Sequence, residues 1–306
     1  MKKHTKHIKI GIGLLYIFLL LLVSFFPDLI VPDNQQSITR LLYNEEGNLI
    51  GKAPFSPLEY PPLGTNKIGE SLFNNVIEGA KFTIIYIVLI CLLRFIFAVG
   101  FSILYAFYVK KSQRYIKRVV DVAYFIPPVI IIFFVLGPLT ALYDSFSPAF
   151  LIAQGILLVL IGIPPLTILL SDEIKVILTK DFISIAKLSG VSKYYLFKKH
   201  IWILIKPRVA IFFIQELIQL LFLLIHLGVL GIFIGGDKEI QMNESPDSSK
   251  KFSLSNEWAG LIGSDYREFL LNPWIMLFPL IAFTTLIIAL KIILSGLEEK
   301  GRKDRY

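Results

Sequence analysis

The side chains that could do chemistry in this chain of 306 residues are few and sit in apolar surroundings. Arg94 lies within the apolar run Phe82–Val109, and Gln215, Glu216, Gln219 and His226 lie within the run Val209–Gly235. At 100° per residue, Glu216, Gln219 and His226 share one helical arc of about 80°. A charge at membrane depth is costly unless it is paired or faces a cavity, so Arg94 calls for a carboxylate, and Glu216 is the candidate by type. The polar arc reads as the lining of a path or as hydrogen bonding that holds helices together. Catalytic constellations do not accompany it. The sequence has no H-E-x-x-H, no G-x-S-x-G and no G-x-x-x-x-G-K-[ST], so it lacks the residues for a zincin, a nucleophile elbow or a phosphate cradle. Only four histidines occur, and His4 and His7 belong to a basic N-terminal tail. No metal site is expected. The single cysteine, Cys91, has no partner within the chain for a disulfide.

A second constellation is the basic, aromatic segment KDFISIAKLSGVSKYYLFKKHIWILIKP, running from Lys180 to Pro207. Asp172 is placed to cap a helix and Glu173 suits its first turn, with the helix running to about Leu188. Gly190 supplies the left-handed turn that ends it, and Lys193 to Lys199 starts a further segment. Ile183, Ile185, Ala186 and Leu188 give this short helix an apolar surface, which fits a protein partner or the lipid headgroup region. Gly231 and Gly235 form a G-x-x-x-G step one turn after Gly228, a pattern for close helix contact.

Membrane-spanning helices must position these groups. The chain is 55% hydrophobic, with a mean hydropathy of +0.68, too apolar for a soluble domain to cover its surface. Six spans are expected, at about Ile10–Phe26, Phe82–Val109, Val122–Tyr143, Ala149–Leu170, Val209–Gly235 and Trp274–Leu294. Continuous apolar runs, rather than alternation, predict an all-α fold and exclude a β-barrel. Pro127, Pro128 and Pro138 in the third span and Pro164 and Pro165 in the fourth invite kinks, which either line a path or are ordinary membrane-helix prolines.

The net charge is +8. The basic residues cluster before the first span, between the second and third, between the fourth and fifth, and in the tail. All four clusters fall on one side if both termini are cytoplasmic, and this positive-inside placement replaces a nucleic-acid reading of the charge. The expected organisation is a first helix in 1–27, an uncleaved signal anchor because no small-residue cleavage site follows it. An extracytoplasmic segment follows in 28–81. A core in 82–299 carries a cytoplasmic loop at 172–207 and an extracytoplasmic loop at 236–273, and the tail is 300–306. Within the outer loop, DKEIQMNESPDSSKK is expected to be mobile.

Three segments resemble the C-type permease subunit of the dipeptide, oligopeptide and nickel importers driven by ATP-binding-cassette (ABC) proteins. In PPLGTNKIGESLFNNVIEGAKFT, Pro62, Leu63, Gly64, Thr65, Gly69, Gly79 and Ala80 match, whereas Asn66 and Glu70 depart. In the basic segment, Ala186, Gly190, His200 and Pro207 match the Glu-Ala-Ala coupling loop, whereas Ser184, Ile185 and Ile203 depart. In EWAGLIGSDYREFLLNPWIMLFPL, Trp258, Pro273, Trp274, Phe278 and Pro279 match, and Asp121 sits before Pro127 as in the family's Asp–Pro pair. The resemblance implies a type I importer permease core in a bacterial plasma membrane. It implies a second permease subunit, two cytoplasmic ATPase subunits that carry ATP and magnesium, an extracytoplasmic solute-binding protein, and no cofactor or catalysis in this chain. Asp181, Ala186, Lys187, Gly190 and His200 then belong to ATPase coupling, and Arg94, Glu216 and Gln219 to the translocation path. The substrate implied is an oligopeptide or dipeptide, with nickel or a metal chelate as the alternative. A membrane assembly or signalling protein that recruits another partner through the basic loop is the competing class.

Overall fold

The computed structural model of the chain describes residues 5–32, 35–43, 47–109, 112–123, 125–142, 147–241 and 249–303. Among them, five helices are long and apolar enough to cross a membrane, and a bent pair supplies up to a sixth. The five are α1 (Thr5–Phe25), α2 (Leu72–Tyr108), α5 (Pro148–Leu178), α8 (Trp202–Val229) and α10 (Pro273–Lys303), and the pair is α3 (Gln113–Ala123) with α4 (Pro128–Leu142). Helices α6 (Asp181–Leu188), α7 (Lys193–Leu196) and α9 (Trp258–Asp265) are short. Two antiparallel hairpins are also described, β1 (Leu41–Tyr43) with β2 (Leu49–Lys52), and β3 (Asp237–Gln241) with β4 (Ser249–Ser253), together with short helical turns at Pro27–Leu29, Phe197–Ile201 and Tyr266–Leu270.

Where helix ends differ from the apolar runs, local chemistry explains the difference. Helix α2 starts ten residues before the run it carries, because Ser71 caps it by accepting from the Asn74 N–H. Its 37 residues reach about 55 Å at 1.5 Å per residue, well beyond a hydrocarbon core of about 30 Å. The expected third span is not one helix. Its first two residues end α3 and most of the rest forms α4; the chain breaks between Ala123 and Pro128, and the two helices meet at 70°. Pro127 has no N–H to continue α3, and Pro128 occupies the first position of α4, where that loss is harmless. By contrast, α5 runs on through Pro164 and Pro165. The loop expected to be mobile instead begins and ends in strands, with Asp237 opposite Ser253 and Gln241 opposite Ser249; residues 242–248 lie outside the described residues.

The core forms where α2, α5, α8, α9 and α10 meet, around Ile87, Leu158, Leu170, Leu221, Trp258, Ile262 and Phe283. Close packing at the hairpin end rests on glycine. A Cβ at Gly79 would fall 1.9 Å from the Asn256 carbonyl oxygen, and one at Gly263 would fall 2.1 Å from Gly228. Trp258 locks this contact, donating from its backbone N–H to Thr83 Oγ1 at 3.0 Å and from Nε1 to the Val76 carbonyl at 2.8 Å. Trp274 Nε1 reaches the Thr65 carbonyl at 3.4 Å. Segments 61–83 and 257–280, far apart in sequence, therefore build one end of the bundle. Of the glycine step read from the sequence, only Gly228 makes a helix contact. Gly231 and Gly235 follow the end of α8 at φ +77° and +84°, so they are turn residues and not a helix-packing face. Cys91 is fully buried among α2 neighbours, with Sγ 3.6 Å from the Phe213 carbonyl.

Candidate functional site

Helices α2, α3, α4, α5 and α8 line an open cavity of about 860 Å³. Arg94, Glu216, Gln219 and His226 all line it, so the polar arc of α8 faces one space. Arg94 is 5% exposed and is held from two sides. Its Nε and Nη2 donate to the Leu158 carbonyl of α5 at 3.0 and 2.6 Å, and its Nη1 donates to Glu216 Oε1 of α8. One guanidinium thus ties three helices together. Its place depends on Gly162, where a Cβ would come within 2.3 Å of Arg94 Nε. Gln215 does not line the cavity. His226 directs Nδ1 to the Phe222 carbonyl within its own helix, which leaves Nε2 for the cavity.

At the end of the cavity nearer α6 and α7 the wall is charged. Lys117 of α3 donates to Asp172 of α5 at 2.7 Å, and Lys175 donates to the same carboxylate at 3.1 Å. Asp121 and Phe125 line the wall beside them, with Pro127, Pro128 and Pro165. Asp172 therefore does not start a helix, as the sequence reading expected. It lies inside α5, and the break comes later, at Thr179 and Lys180, before Asp181 begins α6. Glu173 faces Arg208 at 3.8 Å. Sequence reasoning missed Lys117 and Asp172 as site residues because each had a sufficient local explanation, one as a positive-inside lysine and the other as a cap.

The segment after α5 folds as a compact knuckle. Ile183, Leu196, Ile201 and Ile205 are buried with Ala106, Phe107, Ile174 and Ile177 in a second small core, and Ala186 packs against it. Ile183 and Ala186 thus face inward and not outward as expected. The apolar surface left on α6 is Phe182, Ile185 and Leu188, the last 88% exposed, joined by Tyr194 and Tyr195 of α7. Asp181 is exposed at the start of α6. Lys187 lies in the same helix, and its side chain is outside the described residues. Gly190 adopts φ +77° with no atom near a hypothetical Cβ, so conformation alone favours glycine there. The ring of His200 lies 6.5 Å from that of Phe182 and 6.4 Å from that of Tyr195. It bridges α6 and α7 within a π-helical turn, Phe197–Ile201, that leads straight into α8. The knuckle and the polar arc are therefore ends of one nearly continuous rod, Lys193–Val229.

At the hairpin end, two ion pairs join the segment before α2 to the second hairpin and the turn after α9, and a third joins β4 to α9. Lys67 meets Glu268 at 2.5 Å, Lys238 meets Glu70, and Lys250 meets Asp265 at 2.9 Å. Asn66 accepts the Glu70 N–H at 2.9 Å and donates to its carboxylate at 2.9 Å. Glu257 is fully buried and accepts from the Ile234 N–H at 2.9 Å and the Ser255 hydroxyl at 2.5 Å, and also from Ser253. Burial pushes its carboxyl up to about 7, against the downward pull of those donors.

Among known families, the sequence model for the binding-protein-dependent transport system inner membrane component matches residues 97–303, which is more than half of the chain and includes α3 to α10. No curated protein matches the chain.

Proposed function

We propose a specific role from one premise: the chain belongs to the family of binding-protein-dependent transport system inner membrane components. It is an all-α, multi-pass permease subunit of an ABC importer in the inner membrane. Within that class, our reading is a C-type subunit for oligopeptides or dipeptides, paired with a second permease, two ATPase subunits and an extracytoplasmic solute-binding protein. ATP and magnesium reside on the ATPase subunits. Both termini and the α6–α7 knuckle are cytoplasmic, and the hairpin end is extracytoplasmic.

The observation that carries the reading is the rod from the knuckle to the cavity. Force applied by an ATPase at Asp181, Ala186, Lys187, Gly190 and His200 passes along α8 to Glu216 and Gln219, which with Arg94 line the path. An ion pair, an amide and an imidazole facing one space offer donors and acceptors for both ends of a zwitterionic peptide. Alternating access then becomes a tilt of α8 against the α2–α5 pair. The test is peptide uptake by proteoliposomes holding all subunits. Gln219→Leu should lower peptide uptake severalfold while binding-protein-stimulated ATP hydrolysis persists. Unchanged uptake would remove Gln219 from the path, and uptake of a nickel chelate in place of peptides would replace the substrate.

A further inference from the structure

Helix α3 carries surface that transport does not use. None of its residues is buried, although it lies between two helices of the bundle. At 100° per residue its side chains sort into three sectors. Lys117, Val120 and Asp121 face the cavity. Tyr115, Val119 and Val122 form an apolar face whose residues are 72%, 51% and 67% exposed. Arg114 and Arg118 run along the border of that face, and among the described residues neither forms an ion pair, whereas Lys117 on the cavity side is paired with Asp172. The helix meets α4 at 70°, so if α4 crosses the bilayer, α3 lies close to the membrane plane. An apolar face, an aromatic residue and a row of unpaired arginines along one edge is the pattern of a helix seated in the headgroup layer, with arginines reaching phosphates.

We propose that α3 is an anchor for anionic phospholipid at the cytoplasmic leaflet, with Arg114 and Arg118 binding the phosphates and Tyr115, Val119 and Val122 entering the acyl boundary. This rests on the orientation given under Proposed function. The anchor fixes the height of α3, and through Lys117 and Asp121 it fixes the inner wall of the cavity. Anionic lipid thereby becomes part of the permease's working structure.

The experiment uses the complete importer in nanodiscs of phosphatidylcholine with about one third phosphatidylglycerol, a composition like that of anionic leaflets. Native mass spectrometry of the released complex should show phosphatidylglycerol enriched over its share. Arg114→Gln with Arg118→Gln should cut the preference for phosphatidylglycerol over phosphatidylcholine roughly 25-fold, since each basic residue at an anionic surface contributes about a factor of five. The pair Arg114→Lys and Arg118→Lys should keep most of it, which separates lost charge from lost folding. A benzophenone side chain at position 115 should crosslink to phospholipid. Crosslinking to the second permease subunit, or equal enrichment in wild type and the glutamine variant, would overturn the anchor. A cysteine at Ser184 that reacts from outside the cell would overturn the orientation instead, so the two failures are distinguishable.

Discussion

At the residue scale, the cavity depends on one buried ion pair. Breaking such a pair leaves an uncompensated charge and costs about 3–5 kcal/mol. Arg94→Ala and Glu216→Ala should each lower the melting temperature of the purified complex, and the double variant should lose less than the sum. Strict additivity would mean the two groups act separately. Gly162→Ala should reproduce part of the Arg94→Ala loss, because its methyl group would occupy the space of the guanidinium. Glu257 makes a pH-dependent prediction. Its carboxyl titrates near 7 when folded, above its ordinary 4.5, so between those values the folded chain holds a proton that the unfolded chain has released. The stabilisation is present below about pH 4.5 and is lost as pH rises through 7, by about 3 kcal/mol. Melting at pH 5 and pH 8 should show this drop, and Glu257→Gln should flatten it. Arg94 and Glu216 were legible in the sequence because charge is rare in apolar runs. Glu257 was not, since a glutamate in a polar loop carries no sign that Ser253, Ser255 and the Ile234 N–H will surround it.

At the element scale, the knuckle is held by a turn that only certain residues can make. Gly190 has positive φ and open space around it, so its substitutions test backbone conformation without steric crowding. Gly190→Val should abolish uptake and uncouple ATP hydrolysis from the binding protein while the complex still assembles. Gly190→Asn should retain most activity, because asparagine tolerates the left-handed region. Equal activity in the two variants would remove the turn from coupling. The sequence showed this turn through glycine itself, but it misassigned the faces of α6. Apolar residues at 183, 185, 186 and 188 suit more than one partner, and their sorting depends on α2 and α5, which supply Ala106, Phe107, Ile174 and Ile177. The break between α3 and α4 was hidden for a similar reason. Hydropathy averages over Pro127 and Pro128, and the same two-proline pattern at 164 and 165 leaves α5 intact, so proline alone does not decide between kink and continuity.

At the scale of the whole molecule, long apolar runs set the number of crossings, and charge sets their direction. Five of the six expected spans are single long helices, and the other falls mostly on α4, the second helix of the bent pair, because a bilayer demands length and apolarity before any tertiary contact forms. What the runs could not show is how distant segments meet, as Thr65 meets Trp274 and Asn256 meets Gly79, since these contacts run through backbone carbonyls that any sequence possesses. The orientation can be tested directly. Cys91 is fully buried, so it should stay silent to a membrane-impermeant maleimide while introduced cysteines report. Ser147→Cys, before α5, and Gln241→Cys, at the end of β3, should react in intact cells. Ser184→Cys, on the exposed side of α6, should react only after permeabilisation. The reverse pattern would place the knuckle outside, away from any ATPase, and would end the coupling reading together with the positive-inside argument. Reaction at Ser147 and Ser184 from the same side would instead mean that α5 does not cross, and the cavity lined by Arg94 and Glu216 could not then be a path through the membrane.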